Sequence, residues 1–393
     1  MPLSLDEVFG LLVRNVREQA RIAGALKVRR DRLTAKSHFV GYGVGKKTRG
    51  GKTQSGLSAI LFVDRKVPLQ KLKKKDRLPS WIKVGTRRVP TDVVKIGKPN
   101  FLASQLRYTT KERPVKMGAS IGTCEVTRAA NGRDRADPNA TWAGTAGWSV
   151  VDTLGQHYIM SAAHVLKEQF YDIVQPTKGQ NRDDPSTLAV GQVPNPHDNI
   201  GAVVKLAGGG VDAGIFEVNS EPSIDIVELG TPTGILPPML QLPVQKSGAS
   251  SGVSRGIVIN PHFAYYLPKN PDPAVFRYYP GPSPTARWLE GAFRIIPMDS
   301  EPGDSGAPIV AGPEPDLVNF VQNLNPNISD DMAKSVANLL LNNAVGMAIM
   351  NAPSGAETVG VDIDTATSSL SVKLDGIMPS NLGHNLIRAF RKR

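Results

Sequence analysis

Between Gly118 and Val310 no apolar run lasts long before Gly, Pro, Asn or Asp interrupts it, and that punctuation calls for many short antiparallel strands. Strands of this kind bury their apolar faces by closing on themselves, so the segment suits two packed barrels. A chain of 393 residues has length for a sizeable core and for more than one domain. Around the β-rich body the rhythm changes. Ser4 and Glu7 have the spacing of a capping box, and Leu5, Val8, Phe9, Leu12, Val13 and Val16 recur at helical intervals, predicting an amphipathic N-terminal helix. Short strands are expected at 39–44, 58–63 and 88–96, which makes residues 1–116 read as a small α+β domain. Apolar residues at helical spacing over 313–343 predict a helical insertion, and the basic segment 376–393 suits a terminal helix or tail.

One turn in the β-rich body carries chemistry. Pro302-Gly303-Asp304-Ser305-Gly306-Ala307-Pro308 sets a serine between glycines, where the backbone can aim the N–H groups of Gly303 and Ser305 at one point and so stabilise an oxyanion. A serine alone is a poor nucleophile and needs a base held by an acid. His164 ends the apolar stretch Tyr158-Ile159-Met160-Ser161-Ala162-Ala163, at the rim of a core. Asp212 follows Gly208-Gly209-Gly210 and precedes an apolar run, a half-buried setting in which a carboxylate requires a partner such as an imidazole N–H. Asp198 and Asp225 are competing acids that lack this glycine-to-apolar context. The order is His164, Asp212, Ser305, with separations of 48 and 93 residues.

These three motifs resemble, in the same order, the Ala-Ala-His, Asp-x-(Ala/Gly)-apolar and Gly-Asp-Ser-Gly-(Gly/Ala)-Pro signatures of the trypsin-like serine proteases. The resemblance runs from Gly118 to Ile363 and includes Lys246-Ser247-Gly248 and Ser254-Arg255-Gly256-Ile257-Val258. Gly118-Ala119-Ser120-Ile121-Gly122 and Ala143-Gly144-Thr145-Ala146-Gly147 look like the plant narrow-leaf-type members and their intracellular bacterial relatives. The likeness implies a mainly β, chymotrypsin-like double β-barrel over 117–375, with the 1–116 domain before it. It implies a serine endopeptidase working through an acyl-enzyme, with His164, Asp212 and Ser305 as triad and the Gly303 and Ser305 amides as oxyanion hole. Ile349 and Asn351 would lie on the strand that pairs with substrate. Asp299, six positions before Ser305, would floor a primary pocket for Arg or Lys, with Gly360 leaving room in it. Asp304 would brace the oxyanion loop, its buried charge matched by a cation that the sequence does not identify. The alternative is a catalytically silent protease-fold module that recruits a partner through residues 1–116.

Charge divides the chain unevenly. Residues 1–116 hold 28 Lys and Arg against 8 Asp and Glu, while the remaining 277 hold 19 against 27, for a total of +12. The basic part could dock on its own acidic remainder or bind nucleic acid; the lack of an aromatic-interleaved binding motif favours docking. Protein or peptide is the expected substrate. A single cysteine, Cys124, excludes an intrachain disulfide framework and fits a reducing, cytoplasmic setting. No apolar stretch reaches membrane-spanning length, and Met1 to Glu7 lacks a secretory pattern, so no membrane partner is expected. Gly45 to Thr53 only imitates a phosphate-binding loop, because five residues rather than four separate Gly45 from Gly51. The six histidines are dispersed, and neither metal nor cofactor is expected.

Overall fold

The computed structural model describes residues 3–50, 52–96, 110–124, 126–128, 134–136, 142–166, 172–176, 199–266, 288–301, 303–351, 356–378 and 380–391. The chain adopts the expected mainly β, chymotrypsin-like double-barrel architecture. In the second barrel, Pro243–Gly248 pairs with Pro308–Ala311, and the ring continues through Asn343–Asn351, Thr358–Asp362, Trp288–Ile296 and Gly252–Tyr266. Gly252–Tyr266 pairs back onto Pro243–Gly248, which closes six strands on themselves. The first barrel is an open, eight-stranded sheet in the order Lys373–Leu374, Trp148–Val151, His157–Ser161, Gly214–Glu217, Asn199–Leu206, Asp172–Val174, Ser120–Cys124 and Trp142–Thr145. One core cluster spans the seam, joining Trp148 and Met160 of the first sheet to Val310, Met347 and Ile349 of the second. Trp148 Nε1 also donates to the Gly346 carbonyl across that seam at 3.0 Å.

Residues 1–116 share both sheet and core with the second barrel. Gly252–Tyr266 is 15 residues long, and its C-terminal part pairs with Phe39–Arg49 through Gly41 with Tyr265 and Gly43 with Phe263. Approach is so close that a Cβ at Gly41 would lie 2.5 Å from the Ala264 carbonyl oxygen, so glycine is required there. Lys52–Val63, Arg87–Lys95 and finally Trp81–Val84 extend the sheet to its free edge. The N-terminal helix, Leu5–Lys27, has the expected capping box of Ser4 and Glu7. Its stripe is divided between two clusters. Val8, Leu12 and Val16 pack with Leu236, Leu317, Leu340 and Leu386. Ile22, Ala23 and Leu26 pack on Ile82, Val84 and Val89 of the small sheet. Leu5, expected in the stripe, stays exposed at the first turn.

Among the described residues, this contact is mainly apolar. Among the described residues, the ion pairs from 1–116 to the remainder are Lys27 and Arg30 with Glu290. Fully burying Val8, Leu12 and Val16 contributes roughly 1.5–3 kcal/mol each, against about 1 kcal/mol or less for an exposed ion pair. A chain beginning at Gly118 is therefore expected to melt roughly 10 °C or more below the full chain, and salt will not detach residues 1–116 from it. Differential scanning fluorimetry across a salt series checks both; equal melting temperatures would contradict the shared core.

The helical insertion is present as Glu314–Gln322 and Asp330–Leu340, the latter capped by Ser329. Its apolar stripes are buried in the second barrel's core, as are Leu386 and Phe390 of the C-terminal helix Asn381–Arg391. Gly45 belongs to the strand Phe39–Arg49, which turns directly into Lys52–Val63; that hairpin offers no helix start for a phosphate. No helix of the described residues is long and apolar enough to cross a membrane.

Candidate active site

His157–Ser161 pairs with Gly214–Glu217, and this one contact brings together two motifs that lie 48 residues apart. The first strand leads into the turn Ala163–Leu166, which carries His164; the second is preceded by Asp212. Asp212 is fully buried, and both of its oxygens are used by the histidine. His164 Nδ1 lies 2.7 Å from Oδ2, and the His164 backbone N–H donates to Oδ1 at 3.1 Å. An ionised carboxylate here makes Nδ1 the protonated nitrogen, which leaves Nε2 as the basic one. Asp225, the rejected alternative, accepts instead from the Thr231 hydroxyl at 2.5 Å. Asp198 lies outside the described residues.

The serine turn has the backbone that its glycines forecast. Gly303 and Gly306 both take φ of +100°, and a side chain at Gly306 would collide with the Thr145 carbonyl. The amides of Asp304 and Gly306 are paired, donating to Glu301 and Ala348 at 3.0 and 2.7 Å. Those of Gly303 and Ser305 donate to no acceptor among the described residues. Ser305 Oγ donates to the Ile349 carbonyl at 3.2 Å, which places that strand beside the hydroxyl.

Thr145, quoted in the sequence only as part of a glycine-rich motif, fastens the two halves together. It is fully buried. Its N–H donates to the Ser305 carbonyl at 2.8 Å, its hydroxyl donates to the Gly303 carbonyl at 2.8 Å and accepts from the Ala249 N–H at 3.0 Å, and its own carbonyl accepts from the Ser161 hydroxyl at 2.8 Å. The serine turn is thus bolted to the strand that leads to His164. A β-branched residue with a hydroxyl, set between Gly144 and Ala146, was the signal available in the sequence.

The cation for Asp304 is Lys246, on Pro243–Gly248, with both side chains almost wholly removed from solvent. Lys246 Nζ donates to Asp304 Oδ2 at 2.7 Å and to the Ser251 hydroxyl at 2.6 Å. The Glu301 N–H donates to the same Oδ2 at 2.8 Å, while the Ser250 and Ser251 amides donate to Oδ1, each at 3.0 Å. Burial pushes the Asp304 carboxyl up, but the ammonium and these donors outweigh it and hold the group below its usual range. Burial also pulls the Lys246 ammonium down, and contact with Asp304 opposes that fall. The donor pattern is that of the ionised pair.

The expected specificity residues lie in unlike surroundings. Asp299 is exposed, with its carbonyl accepting from the Ser254 hydroxyl at 2.8 Å, whereas Ser300 next to it is buried 2.6 Å from the Thr358 hydroxyl. The open side of Gly360 faces the barrel core: a Cβ there would lie 2.7 Å from the Phe293 ring and 3.0 Å from Ile309. The room expected at Gly360 is filled by Phe293. Asn351 ends the strand that carries Ile349, and its side chain lies outside the described residues. Elsewhere, His157, Glu221 and Asp375 bring ligand-type atoms within 4.8 Å of one another, with His157 Nδ1 and the Ser149 hydroxyl each 3.0 Å from Asp375 Oδ2.

No family model matches the chain, and no curated protein matches it. Solved structures similar to it include bacterial and viral proteases. A glutamic acid specific serine protease shares 14% identity at a TM-score of 0.38, covering 66% of this chain and 100% of its own. A Nocardiopsis protease shares 14% at 0.37 over 59% and 93%, and a Cellulomonas bogoriensis chymotrypsin 14% at 0.37 over 66% and 98%.

Proposed function

We propose that the chain is a serine endopeptidase in which Ser305 is the nucleophile, His164 the general base and Asp212 the group that holds His164. The observation that carries this reading is the buried Asp212 carboxylate gripping both Nδ1 and the backbone N–H of His164, in the turn that follows a strand bolted through Thr145 to the serine turn. Substrate would displace the resting bond from Ser305 to the Ile349 carbonyl and turn the hydroxyl towards His164. His164 accepts the proton as Ser305 Oγ attacks the peptide carbonyl, and the amides of Gly303 and Ser305 take the developing oxyanion. His164 then returns the proton to the leaving amine, and water, deprotonated in turn, releases the acyl group. Hydrolysis of a quenched peptide library by the purified chain, abolished by Ser305→Ala, tests the activity.

For specificity, the reading is cleavage after Arg or Lys, supported by the position of Asp299 six residues before Ser305. Its exposure limits the effect: a solvated carboxylate attracts a cation by about 1 kcal/mol or less, which is about a fivefold preference in kcat/KM. Profiling the library against wild type and Asp299→Ser is expected to show that preference and its loss. A wild type indifferent to basic residues would remove Asp299 from the pocket.

A further inference from the structure

The positive charge of residues 1–116 is not consumed by the fold. The loop 64–80 holds Arg65, Lys66, Lys71, Lys73, Lys74, Lys75 and Arg77, and among the described residues none of these pairs with a carboxylate. All seven are exposed. The loop's backbone is nonetheless fixed. It forms two 3₁₀ turns, Leu69–Lys71 and Lys74–Asp76; Lys36 donates to the Lys75 carbonyl, and the Thr91 hydroxyl and N–H donate to the carbonyls of Pro79 and Ser80.

The loop delivers the chain into the edge strand Trp81–Val84, whose register with Arg87–Lys95 sets Trp81 opposite Pro90 and Lys83 opposite Arg88. Alternation puts Ile82, Val84 and Val89 against the N-terminal helix, and leaves Trp81, Lys83, Arg88 and Pro90 on the solvent face. Trp81 is 42% exposed, and the Arg88 guanidinium lies 4.3 Å from its ring centroid. The aromatic-basic combination that the linear sequence lacks is therefore assembled by the hairpin.

We propose that this edge hairpin and the loop before it form a binding surface for single-stranded nucleic acid. An unstacked base lies on the Trp81 and Arg88 planes, while phosphates run along Lys83 and the lysines of the loop. A duplex offers its phosphates but no free base face, so the exposed indole selects the single strand.

The test is fluorescence anisotropy of the full chain with a labelled oligo-dT of about 20 nucleotides, titrated from about 50 to 200 mM salt, beside a duplex of equal length and anionic phosphatidylserine vesicles. The oligonucleotide is expected to bind with a log–log salt dependence and to quench Trp81 fluorescence. Trp81→Ala is expected to weaken it about tenfold with the salt slope unchanged. Replacing Lys71, Lys73 and Lys74 together by Gln should flatten the slope by about 2, at an unchanged melting temperature. The proposal is overturned by no binding at low salt, by wild-type binding in both variants, or by equal or tighter binding of duplex or vesicles.

Discussion

Replacing Ser305 or His164 by alanine is expected to lower kcat for peptide hydrolysis by about a millionfold each, and the double variant by no more than either single one, because they act as one unit. Asp212→Asn is expected to cost about ten-thousandfold at neutral pH. The amide cannot hold Nδ1 as its hydrogen-bond donor and still accept from the His164 N–H with the same charge, so the imidazole loses both its tautomer and its anchor. These effects belong to chemistry: Ser305→Ala and Asp212→Asn should not shift the unfolding midpoint by more than a few degrees, since the serine is only part-buried and the Asp212→Asn change is isosteric, whereas His164→Ala leaves one oxygen of buried Asp212 without its partner, so its rate is compared at temperatures where it is still folded. Stopped assays over long incubations against urea unfolding curves separate the two. A retained rate in His164→Ala would leave the fold intact and remove the mechanism.

The second large effect is expected at Lys246. Lys246→Met leaves Asp304 buried beside three backbone donors with no countercharge, a loss of about 3–5 kcal/mol when one partner of a buried pair is removed. Activity should fall with it, because Asp304 ties residues 250, 251 and 301 to the turn that presents the Gly303 and Ser305 amides. The double variant Lys246→Met/Asp304→Leu should regain much of the stability but not the activity, since the amides of Ser250, Ser251 and Glu301 lose their acceptor. The pH dependence follows from the carboxyl. Folding lowers the Asp304 value, so its contribution is complete above the ordinary carboxylate range near 3.9 and disappears as pH falls through the lowered folded value. Urea unfolding of wild type should therefore show stability falling on acidification, and the double variant should lose that part of the slope. A Lys246→Met variant as stable and active as wild type would mean that the pair supports neither fold nor oxyanion turn.

Local chemistry was what the sequence made legible. His164, Asp212 and Ser305 each stand in a short motif whose glycines and apolar neighbours announce the backbone they need, and the capping box at Ser4 is equally local. Lys246 and Thr145 were opaque for the opposite reason. Lys246 meets Asp304 across 58 residues of sequence and Thr145 meets Gly303 across 158, so no spacing rule connects them. The union of residues 1–116 with the second barrel was hidden because one strand, Gly252–Tyr266, serves both; the alternating Gly41, Gly43 and Gly45 were the hint of a close neighbour. Asp299 was legible only as an offset from Ser305, which fixes position along the chain and leaves its exposure to the fold.

If His164, gripped by Asp212, activates Ser305, a fluorophosphonate should react with the folded chain at that serine, and peptide mass spectrometry maps the adduct. Wild type is expected to carry one phosphonyl group on Ser305, with labelling lost in His164→Ala and strongly slowed in Asp212→Asn. A folded wild type that remains unlabelled, or that is labelled equally well without His164, would contradict the account and leave a protease-shaped binding module.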